Sequence, residues 1–586
     1  MSHAQVVEAT SQENMEFDNE VEQRESQFAG ICASMILAHD LPFNFLELEV
    51  MRKYTEFLNP NAVIPPTNVI EAYVSHLYTK EKLKLKQELA SIPNRISLTF
   101  DLWESNTTET YICLTAHFVD ANWKLNSKVL NFRLVYPPIA AEISERMIEL
   151  LNDWGIEKKI FSLTLDDSFE NNVMLEQLKN QLCLRNGLLC DGEFFHAHCF
   201  ACVLKLIAEE GLKLVSGAVY GIRDSIMFVR NSKNRRTKFK ECIEKVGGVD
   251  SSVCLHLDMS MSLNSTYVML ESALKYRHVF ESFHLYDDNY QLCPLAHEWK
   301  RVEKICAFLL PFYETANMIN DTTHPTSNLC FLQVWKVQCV LVDSLGDEDK
   351  VIKRMAERMM SEFDKYWDEY SVVLALGAVL DPRMKFSTLA YCYSKLDPST
   401  CEQKLQLVKR KLYMLFDKYS SKSTSSGLKR TTQDQSSTMP LQKKLKSLSH
   451  GLFNELKVHQ RQLVTETRKS QLDVYLDESN LDFHCYEDMD VLQWWKRNNN
   501  RFPDLSILAC DLLSVPIATV ASDSEFCMGS RVFNKYEDRT LPTNVETRIC
   551  TRSWLYNFVS DDREGDRDDL DGIMNEIDNG EKMVQA

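Results

Sequence analysis

Two apolar segments of the sequence end on an aspartate, and these two carboxylates are the first candidates for chemistry. Residues 96–100 alternate apolar and polar side chains and lead to Asp101, and residues 160–165 lead in the same way to Asp166. Such alternation predicts β-strands. A carboxylate at the end of a buried strand must be paired, hydrated or bound to a metal ion, although Asp also commonly caps a helix or begins a turn. If the two strands are neighbours, their carboxylates meet at one edge of a sheet.

A second candidate is a run of side chains of the types that bind metals, His196, His198, Cys199 and Cys202. Imidazole and thiolate are the ligands that zinc prefers. Structural zinc sites commonly use two separated pairs of ligands, and no second pair stands out nearby in the sequence. We therefore expect a junction of a strand and a helix with buried thiols here, in preference to a zinc site.

The third candidate is a run of six basic residues within eleven positions. A surface that contacts phosphates and an ordinary solvated helix face are both consistent with such a run, and the sequence leaves the two interpretations open. Its members are Arg230, Lys233, Arg235, Arg236, Lys238 and Lys240.

The composition places these candidates in a large folded chain of 586 residues. It is 44% hydrophobic but has no run of 18 apolar residues, and its N-terminus is acidic and polar, so we expect neither a membrane span nor a signal peptide. The 18 scattered cysteines are expected to be reduced thiols, as in the cytosol or the nucleus. The net charge of −18 includes −6 in residues 1–25 and −7 in residues 560–586. The remaining −5 allows a basic face on the folded body.

Hydrophobic periodicity predicts the elements that position the candidates. Three strands, Arg95–Asp101, Tyr111–Val119 and Lys128–Tyr136, have short connections that favour an antiparallel meander. Helices then alternate with two further strands, so we expect an α+β fold with a mixed sheet and helices on its faces. The predicted divisions are an acidic disordered tail (1–27), a helical region (28–92), the first part of the sheet core (93–211), a large helical region (212–416), a flexible linker (417–450), a C-terminal region (451–559) and an acidic tail (560–586).

A series of motifs extends from roughly residue 28 to residue 558. It comprises Ser97–Trp103; Thr164–Asp167 followed by Asn171-Asn172; His196–Ile207; Leu257-Asp258 followed by Asn264–Tyr267; Leu380–Arg383; Leu512–Gly529; Arg531-Val532; Asn544–Glu546; and Trp554-Leu555. Taken together and in this order, these motifs resemble the hAT superfamily of transposases, and most closely its plant domesticated RICESLEEPER/DAYSLEEPER type.

The resemblance implies both a fold and a chemistry. The sheet would be an RNase H-like core interrupted by a large all-helical insertion, and the C-terminal region would supply the last core helix and a dimerisation region. Carboxylates at Asp101, Asp166 and Asp523 would hold two divalent metal ions, Mg²⁺ or Mn²⁺, for phosphoryl transfer on DNA.

Three positions depart from the family pattern. Asp523 stands where the family has Glu, and its side chain is shorter by one methylene, about 1.5 Å. Cys202 replaces the His of a Cys-x-x-His motif, and Ser262-Leu263 replaces an Arg-Trp pair. The family's Trp is implied to stack on an extruded base, which contributes about 1–3 kcal/mol. We therefore expect a core that keeps its fold, with Asp101, Asp166 and Asp523 as a vestigial triad and no catalytic activity.

The resemblance predicts a nuclear, dimeric, DNA-binding protein with a regulatory role. The BED zinc finger that often begins family members has no counterpart in residues 1–90, so we expect non-specific or indirect DNA binding and no zinc-finger metal. Two alternatives remain open. One is an active transposase or nuclease that uses the three aspartates with Mg²⁺ or Mn²⁺, and the other is a protein-interaction module that does not bind DNA.

Large apolar side chains crowd the C-terminal region. They are typical of ordinary core, and equally of the homodimer interface that the resemblance implies. The residues predicted for dimerisation are Trp494, Trp495, Leu512, Leu513, Val515, Trp554 and Leu555. Lys429-Arg430 and Lys443–Lys446, within the predicted linker, resemble short nuclear import signals.

Overall fold

The computed structural model describes a five-stranded sheet with packed helices and a large helical part. The described residues are 27–39, 41–60, 63–104, 109–166, 169–247, 254–258, 263–319, 327–425, 469–482, 484, 489–519 and 542–556.

The sheet is mixed, with the strand order β3-β2-β1-β4-β5. The first three strands form an antiparallel meander, and β4 and β5 run parallel to β1. Both features confirm the prediction from the sequence, although the third strand begins at Leu125 and not at Lys128. The strands are β1 (Ile96–Glu104), β2 (Thr110–Val119), β3 (Leu125–Val135), β4 (Ile160–Leu165) and β5 (His196–His198).

One face of the sheet is buried by an apolar layer. Leu98 and Phe100 of β1 are each 1% exposed and belong to the same cluster as the inner face of the helix that follows the meander. That helix ends at Gly155, whose φ of 69° gives the left-handed cap that glycine adopts without strain. The helices that connect the strands are α4 (Ala140–Trp154) and α5 (Phe169–Leu184), and the one that precedes the sheet is α3 (Thr67–Ser91).

The large helical insertion expected for this fold is confirmed. Its predicted start at residue 212 lies inside α6 (Phe200–Arg230), which is one continuous helix that begins directly after β5. Its centre is apolar, with Trp299, Phe312 and Phe331 fully buried. The remaining helices of this part are α7 (Lys233–Val246), α8 (Leu263–Lys275), α9 (Arg277–Phe283), α10 (Ala296–Ile319), α11 (Ser327–Ser344), α12 (Lys350–Val379), α13 (Lys385–Leu396) and α14 (Cys401–Ser425).

The last of these helices corrects one predicted boundary. Residues 417–425 were assigned to a flexible linker, but α14 continues through them to Ser425. The helix extends because Leu412, Phe416 and Tyr419, at helical spacing, are buried in the hydrophobic core. The rest of the predicted linker lies outside the described residues.

Further helices stand at the two ends of the described chain. The C-terminal helix packs against β3 and α3, and its Trp554 indole donates to the backbone oxygen of Val129 at 2.7 Å. In the part of the chain that the structure describes, no helix is both long and apolar enough to span a bilayer. These helices are α1 (27–38), α2 (Glu49–Leu58), α15 (Gln471–Asp477), α16 (Val491–Asn498), α17 (Pro503–Leu513) and α18 (Pro542–Tyr556).

Candidate active site

The register of β1 and β4 places the two predicted carboxylates next to each other. The strands are parallel neighbours, and Thr99 is opposite Thr164. Asp101 follows the first threonine by two residues and Asp166 follows the second by two. Because side chains alternate along a strand, both carboxylates lie at the same height on the same face, on strands about 4.8 Å apart. Two acidic residues distant in sequence therefore come within reach of a common ion.

The two carboxylates have different surroundings. Asp101 is only 7% exposed, whereas Asp166 is open to solvent. The buried Asn171, in the first turn of α5, donates its side-chain N–H to Oδ1 of Asp166. This bond helps to orient the carboxylate, as a supporting hydrogen bond does at a metal ligand. It also gives a physical role to the asparagine that follows the second strand in the sequence motif.

The segment after α17 returns to this part of the sheet. The hydroxyl of Thr164 donates to the backbone oxygen of Pro516 at 2.8 Å, and the N–H of Phe200 donates to that of Ile517 at 2.8 Å. The C-terminal part of the chain is therefore joined to the strand end that carries Asp166. The third predicted carboxylate, Asp523, lies outside the described residues.

A buried carboxylate ties the start of β1 to the insertion and the C-terminal helices. Asp511, on α17, is fully buried and accepts the backbone N–H of Arg95 at 2.8 Å. Its other oxygen accepts the hydroxyl of Tyr419, on α14, at 2.5 Å. Proximity to this carboxylate, after burial itself, raises the pKa of Tyr419 well above its ordinary value. Because three distant segments meet at Asp511, this carboxylate fixes the start of β1 relative to α14 and α17.

Two thiols lie at the start of α6, directly after β5. Cys199 is its N-cap residue, and Cys202 is in the first turn, where the family pattern has a histidine. A hydrogen bond to Cys199 and burial raise the pKa of the Cys202 thiol, and the charges of Asp166 and Asp101 raise it further. The second thiol therefore adjoins the carboxylate pair and stays protonated.

The imidazoles of His196 and His198 lie near these thiols, with ring centres 4.1 Å apart on β5. Cys199 is 1% exposed, and its N–H donates to the backbone oxygen of Leu165 at 2.9 Å, so the junction of strand and helix with a buried thiol is as expected. Within the described ranges, no group of three or more His, Cys, Asp or Glu side chains could hold a metal ion.

Four protein-family models match consecutive parts of the chain. The ZBED1 RNase-like domain matches residues 99–194, and the ZBED1 RNase-like helical domain matches residues 197–308. A hAT-like transposase model of RNase-H fold matches residues 328–419, and the hAT family C-terminal dimerisation region matches residues 471–555.

The similarity also extends over most of this chain and over about two thirds or more of its relatives. RICESLEEPER 2 of Oryza sativa subsp. japonica, a zinc finger BED domain-containing protein, is 32% identical over 534 residues, which are 89% of this chain and 73% of the relative. The chain belongs to the hAT transposase family. DAYSLEEPER of Arabidopsis thaliana, also a zinc finger BED domain-containing protein, is 30% identical over 89% of this chain and 73% of its own length. A putative AC transposase of Zea mays is 30% identical over 89% of this chain and 64% of its own length.

The basic run of this hAT chain begins at the end of α6, with Arg230, and continues on two sides of α7. Arg235 and Lys238 are partly buried, and both lie within 4 Å of the buried carboxylate of Asp287, at 3.9 and 3.6 Å. The Arg235 guanidinium also stacks 3.7 Å above the ring of Phe228. The other four basic side chains, Arg230, Lys233, Arg236 and Lys240, are exposed.

Most of the residues predicted for hAT dimerisation lie within the core of the single chain. Trp495 is fully buried, and its indole donates to the backbone oxygen of Leu380 at 2.9 Å. Leu512, Leu513 and Val515 are at most 3% exposed. These side chains pack between helices of the C-terminal region and helices of the insertion, and so they hold the two parts together. Trp494 is partly buried, Trp554 is 8% exposed and Leu555 is 39% exposed.

The hAT motif in the helical part is a buried charge network. The carboxylate of Asp258 is fully buried and accepts from Arg223 at 2.9 Å, from the Ser265 hydroxyl at 2.7 Å and from the Thr266 hydroxyl. The motif therefore fixes the start of α8, which carries Leu263. Ser262, the neighbouring position that departs from the family, is outside the described residues.

Sequence reasoning missed two residues with clear roles. Asp287 orients part of the basic run, and Thr519 contacts the Cys199 sulfur from 320 residues away. Neither has a signal in local spacing, because each partner is distant in sequence. Only the folded arrangement of the chain reveals them.

Proposed function

We propose that the chain is a dimeric, DNA-binding nuclear protein with a regulatory role, derived from a hAT transposase whose cleavage chemistry has been lost. The observation that carries the proposal is a retained pair of carboxylates, Asp101 and Asp166, combined with substitutions at three other working positions of the family. Retention of the pair follows the ancestry, and the substitutions argue against turnover.

The case for lost cleavage depends on geometry. Two-metal sites tolerate ligand errors of only a few tenths of an ångström, whereas Asp in place of Glu at position 523 shortens the reach by about 1.5 Å. At position 202 a protonated thiol replaces an imidazole, so a group that could accept a proton or bind phosphate is missing. Leu263, which is 6% exposed, offers no aromatic face for a flipped base.

The two remaining carboxylates suit a divalent ion in part. Asp101 and Asp166 supply the oxygen ligands that Mg²⁺ and Mn²⁺ prefer, and Asn171 holds Asp166 in a fixed orientation. A bound ion would supply charge stabilisation at a phosphate oxygen. We expect such an ion to bind weakly, because only two carboxylates would hold it. Within the described residues, no group of three or more possible metal ligands is present.

The exposed part of the basic run supports DNA binding. Lys233, Arg236 and Lys240 follow the spacing i, i+3, i+7, so they lie along one side of α7. A row of cations at this spacing can follow a phosphate backbone. It carries no sequence information, so we expect binding to duplex DNA with little preference among sequences.

Membership of the family supports dimerisation and a nuclear location. The C-terminal match is to a region named for dimerisation. One relative is named a putative transposase, and a transposase needs access to DNA. The pairing of Arg235 and Lys238 with Asp287 favours the alternative of a module that has lost DNA binding, because it occupies two of the six cations.

One experiment separates these functions. The full-length protein is purified, its mass is measured by light scattering across a range of concentrations, and its binding to a labelled duplex is followed by fluorescence anisotropy. We expect a dimer that binds DNA with a strong dependence on salt. A dimer without DNA binding would support the interaction module, and a monomer that does not bind DNA would contradict the proposal.

A further inference from the structure

The outer face of α2 (Glu49–Leu58) is apolar and open to solvent. Every residue of this helix is described and none is buried, and Met51 supplies its contact with the apolar cluster of the N-terminal helices. A helix of ten residues gains little stability from its backbone alone, so it depends on the packing of its apolar side chains. Within the described part of the chain, most of that packing is missing. The uncovered apolar side chains, which are between 56% and 86% exposed, are Val50, Tyr54, Phe57 and Leu58.

These four side chains form a single stripe. Val50, Tyr54 and Phe57 follow the spacing i, i+4, i+7, which places them on one side of the helix. Leu58, four residues after Tyr54, widens the stripe on the same side. Apolar side chains that are scattered singly are ordinary on a protein surface, whereas a contiguous exposed group marks a site of interaction. The stripe on α2 therefore indicates a docking surface.

The helices that carry this stripe pack against the region that matches the hAT dimerisation model. The last helix of that region, α18, contacts them near both of its ends. Asn544 donates its side-chain N–H to Oε1 of Glu71 at 3.0 Å, and the Tyr556 hydroxyl donates to the backbone oxygen of Ser34 at 3.3 Å. Most side chains predicted for the dimer interface are buried within one chain, so this region needs other apolar surface for a partner. The adjoining N-terminal helices supply such a surface in α2.

The charges of α2 favour a second copy of the chain as the occupant of the stripe. The helix carries two acidic and two basic side chains, so its net charge is zero. A helix that lies on an anionic lipid surface is typically basic, and α2 is not. The acidic segments 1–25 and 560–586 gain no attraction from a neutral helix. Equal numbers of both charges instead suit pairing with an identical helix.

We propose that α2 pairs with α2 of a second copy around a twofold axis near Tyr54, and that this pair forms part of the homodimer interface. The inference rests on the dimer proposed above and locates one part of its interface, since a stable interface buries roughly 800 Å² per partner. Antiparallel pairing brings Val50 of each copy to Leu58 of the other, with the two tyrosines at the centre. Lys53 and Glu56 flank the same side of the stripe. Lys53 of each copy therefore comes opposite Glu56 of the other, so the contact is complementary in charge.

The first test places a charge in the middle of the stripe. Tyr54→Arg in the full-length protein should raise the Kd of the dimer by about 30-fold or more, as measured by analytical ultracentrifugation. The matched control is Tyr391→Arg, because Tyr391 is a helical tyrosine of similar exposure, 61% against 56%. We expect the control to dimerise like the wild type. Both tyrosines are exposed, so neither change should prevent folding, which circular dichroism checks.

The second test reverses the flanking charges. Lys53→Glu places two acidic groups opposite each other across the axis, and Glu56→Lys places two basic groups there. Each variant alone should therefore dimerise about fivefold more weakly than the wild type. When the two variants are mixed, acidic and basic groups face each other again. Native mass spectrometry of the mixture should show more heterodimer than random pairing gives, and a random mixture would overturn the antiparallel pairing.

The outcomes separate this inference from the proposed function. A wild-type dimer whose Kd is unchanged by Tyr54→Arg would overturn the pairing of α2 and leave the proposed dimer in place. Wild-type protein that stays monomeric at every concentration would contradict both. An unchanged mass together with faster cleavage of the terminal segments by trypsin in Tyr54→Arg would assign the stripe to the chain's own termini, and would also overturn the pairing.

Discussion

Neutralising the exposed face of α7 is a direct test of how this chain would contact DNA. The variant changes Lys233, Arg236 and Lys240 to Gln, and it leaves Arg235 and Lys238 in contact with Asp287. The three altered side chains are exposed, so their loss should not disturb packing. Any change in binding then reports on contacts with phosphate.

The expected size follows from counterion release. Each phosphate contact contributes a slope of about 0.9 in the logarithm of affinity against the logarithm of salt concentration. Loss of three contacts should therefore reduce the slope by about 2.7. At about 0.15 M salt, each contact adds about 0.7 to the decimal logarithm of the association constant. Loss of three contacts should therefore lower the affinity for DNA by about two orders of magnitude.

The assay is fluorescence anisotropy with a labelled duplex between about 50 and 200 mM salt. A control variant changes Lys353, Arg354 and Arg358 to Gln, which removes the same charge from an exposed face of α12. We expect this control to keep most of the slope. An unchanged slope in the α7 variant, or an equal reduction in the control, would refute the assignment of DNA binding to α7.

Three further changes test the fold that supports the site. Trp495→Ala should lower the free energy of unfolding by about 3–5 kcal/mol in urea titrations, because it leaves a cavity at a fully buried side chain. The control is Leu184→Ala, at a side chain that is 85% exposed. Equal losses of stability in the two variants would contradict the packing described. Tyr419→Phe should cost about 1–3 kcal/mol in the same titrations, because the buried Asp511 loses a donor, and a neutral result would remove this contact from the account. Burial lowers the pKa of His117 to about 4, so the unfolded chain binds a proton more readily than the folded one below about pH 6.5. Stability should therefore fall as the pH drops from about 6.5 to 4, and His117→Gln should flatten this part of the profile; an unchanged profile would contradict the role of the buried imidazole.

Local sequence patterns were enough to predict the strands and the two carboxylates that follow their apolar segments. Alternation around Leu98 and Phe100 predicts a strand, and the similar segment before Asp166 predicts adjacent carboxylates if the two strands are neighbours. β1 continues past Asp101 to Glu104, so the carboxylate does not mark the end of the strand. The topology that makes β1 and β4 neighbours came from resemblance to a family, since the spacing of Asp101 and Asp166 does not contain it.

Contacts between distant segments could not be predicted in this way. The pairing of Lys238 with Asp287 divides a basic run that looks uniform in sequence. The indole N–H of Trp495 donates to the backbone oxygen of Leu380, 115 residues away. A side chain expected at a dimer surface therefore lies in the core of one chain. A protein core and a dimer interface have similar apolar composition, so only the packing of the folded chain distinguishes them.

Metal-dependent cleavage is the measurement that tests the central claim most directly. Full-length protein and its Asp101→Asn variant are incubated with duplex DNA carrying a hAT terminal repeat, in Mg²⁺ and separately in Mn²⁺, and strand breaks are resolved on denaturing gels. A core that keeps two adjacent carboxylates without working chemistry predicts the same background with both proteins. Strand cleavage that requires the metal and disappears in the variant would contradict it.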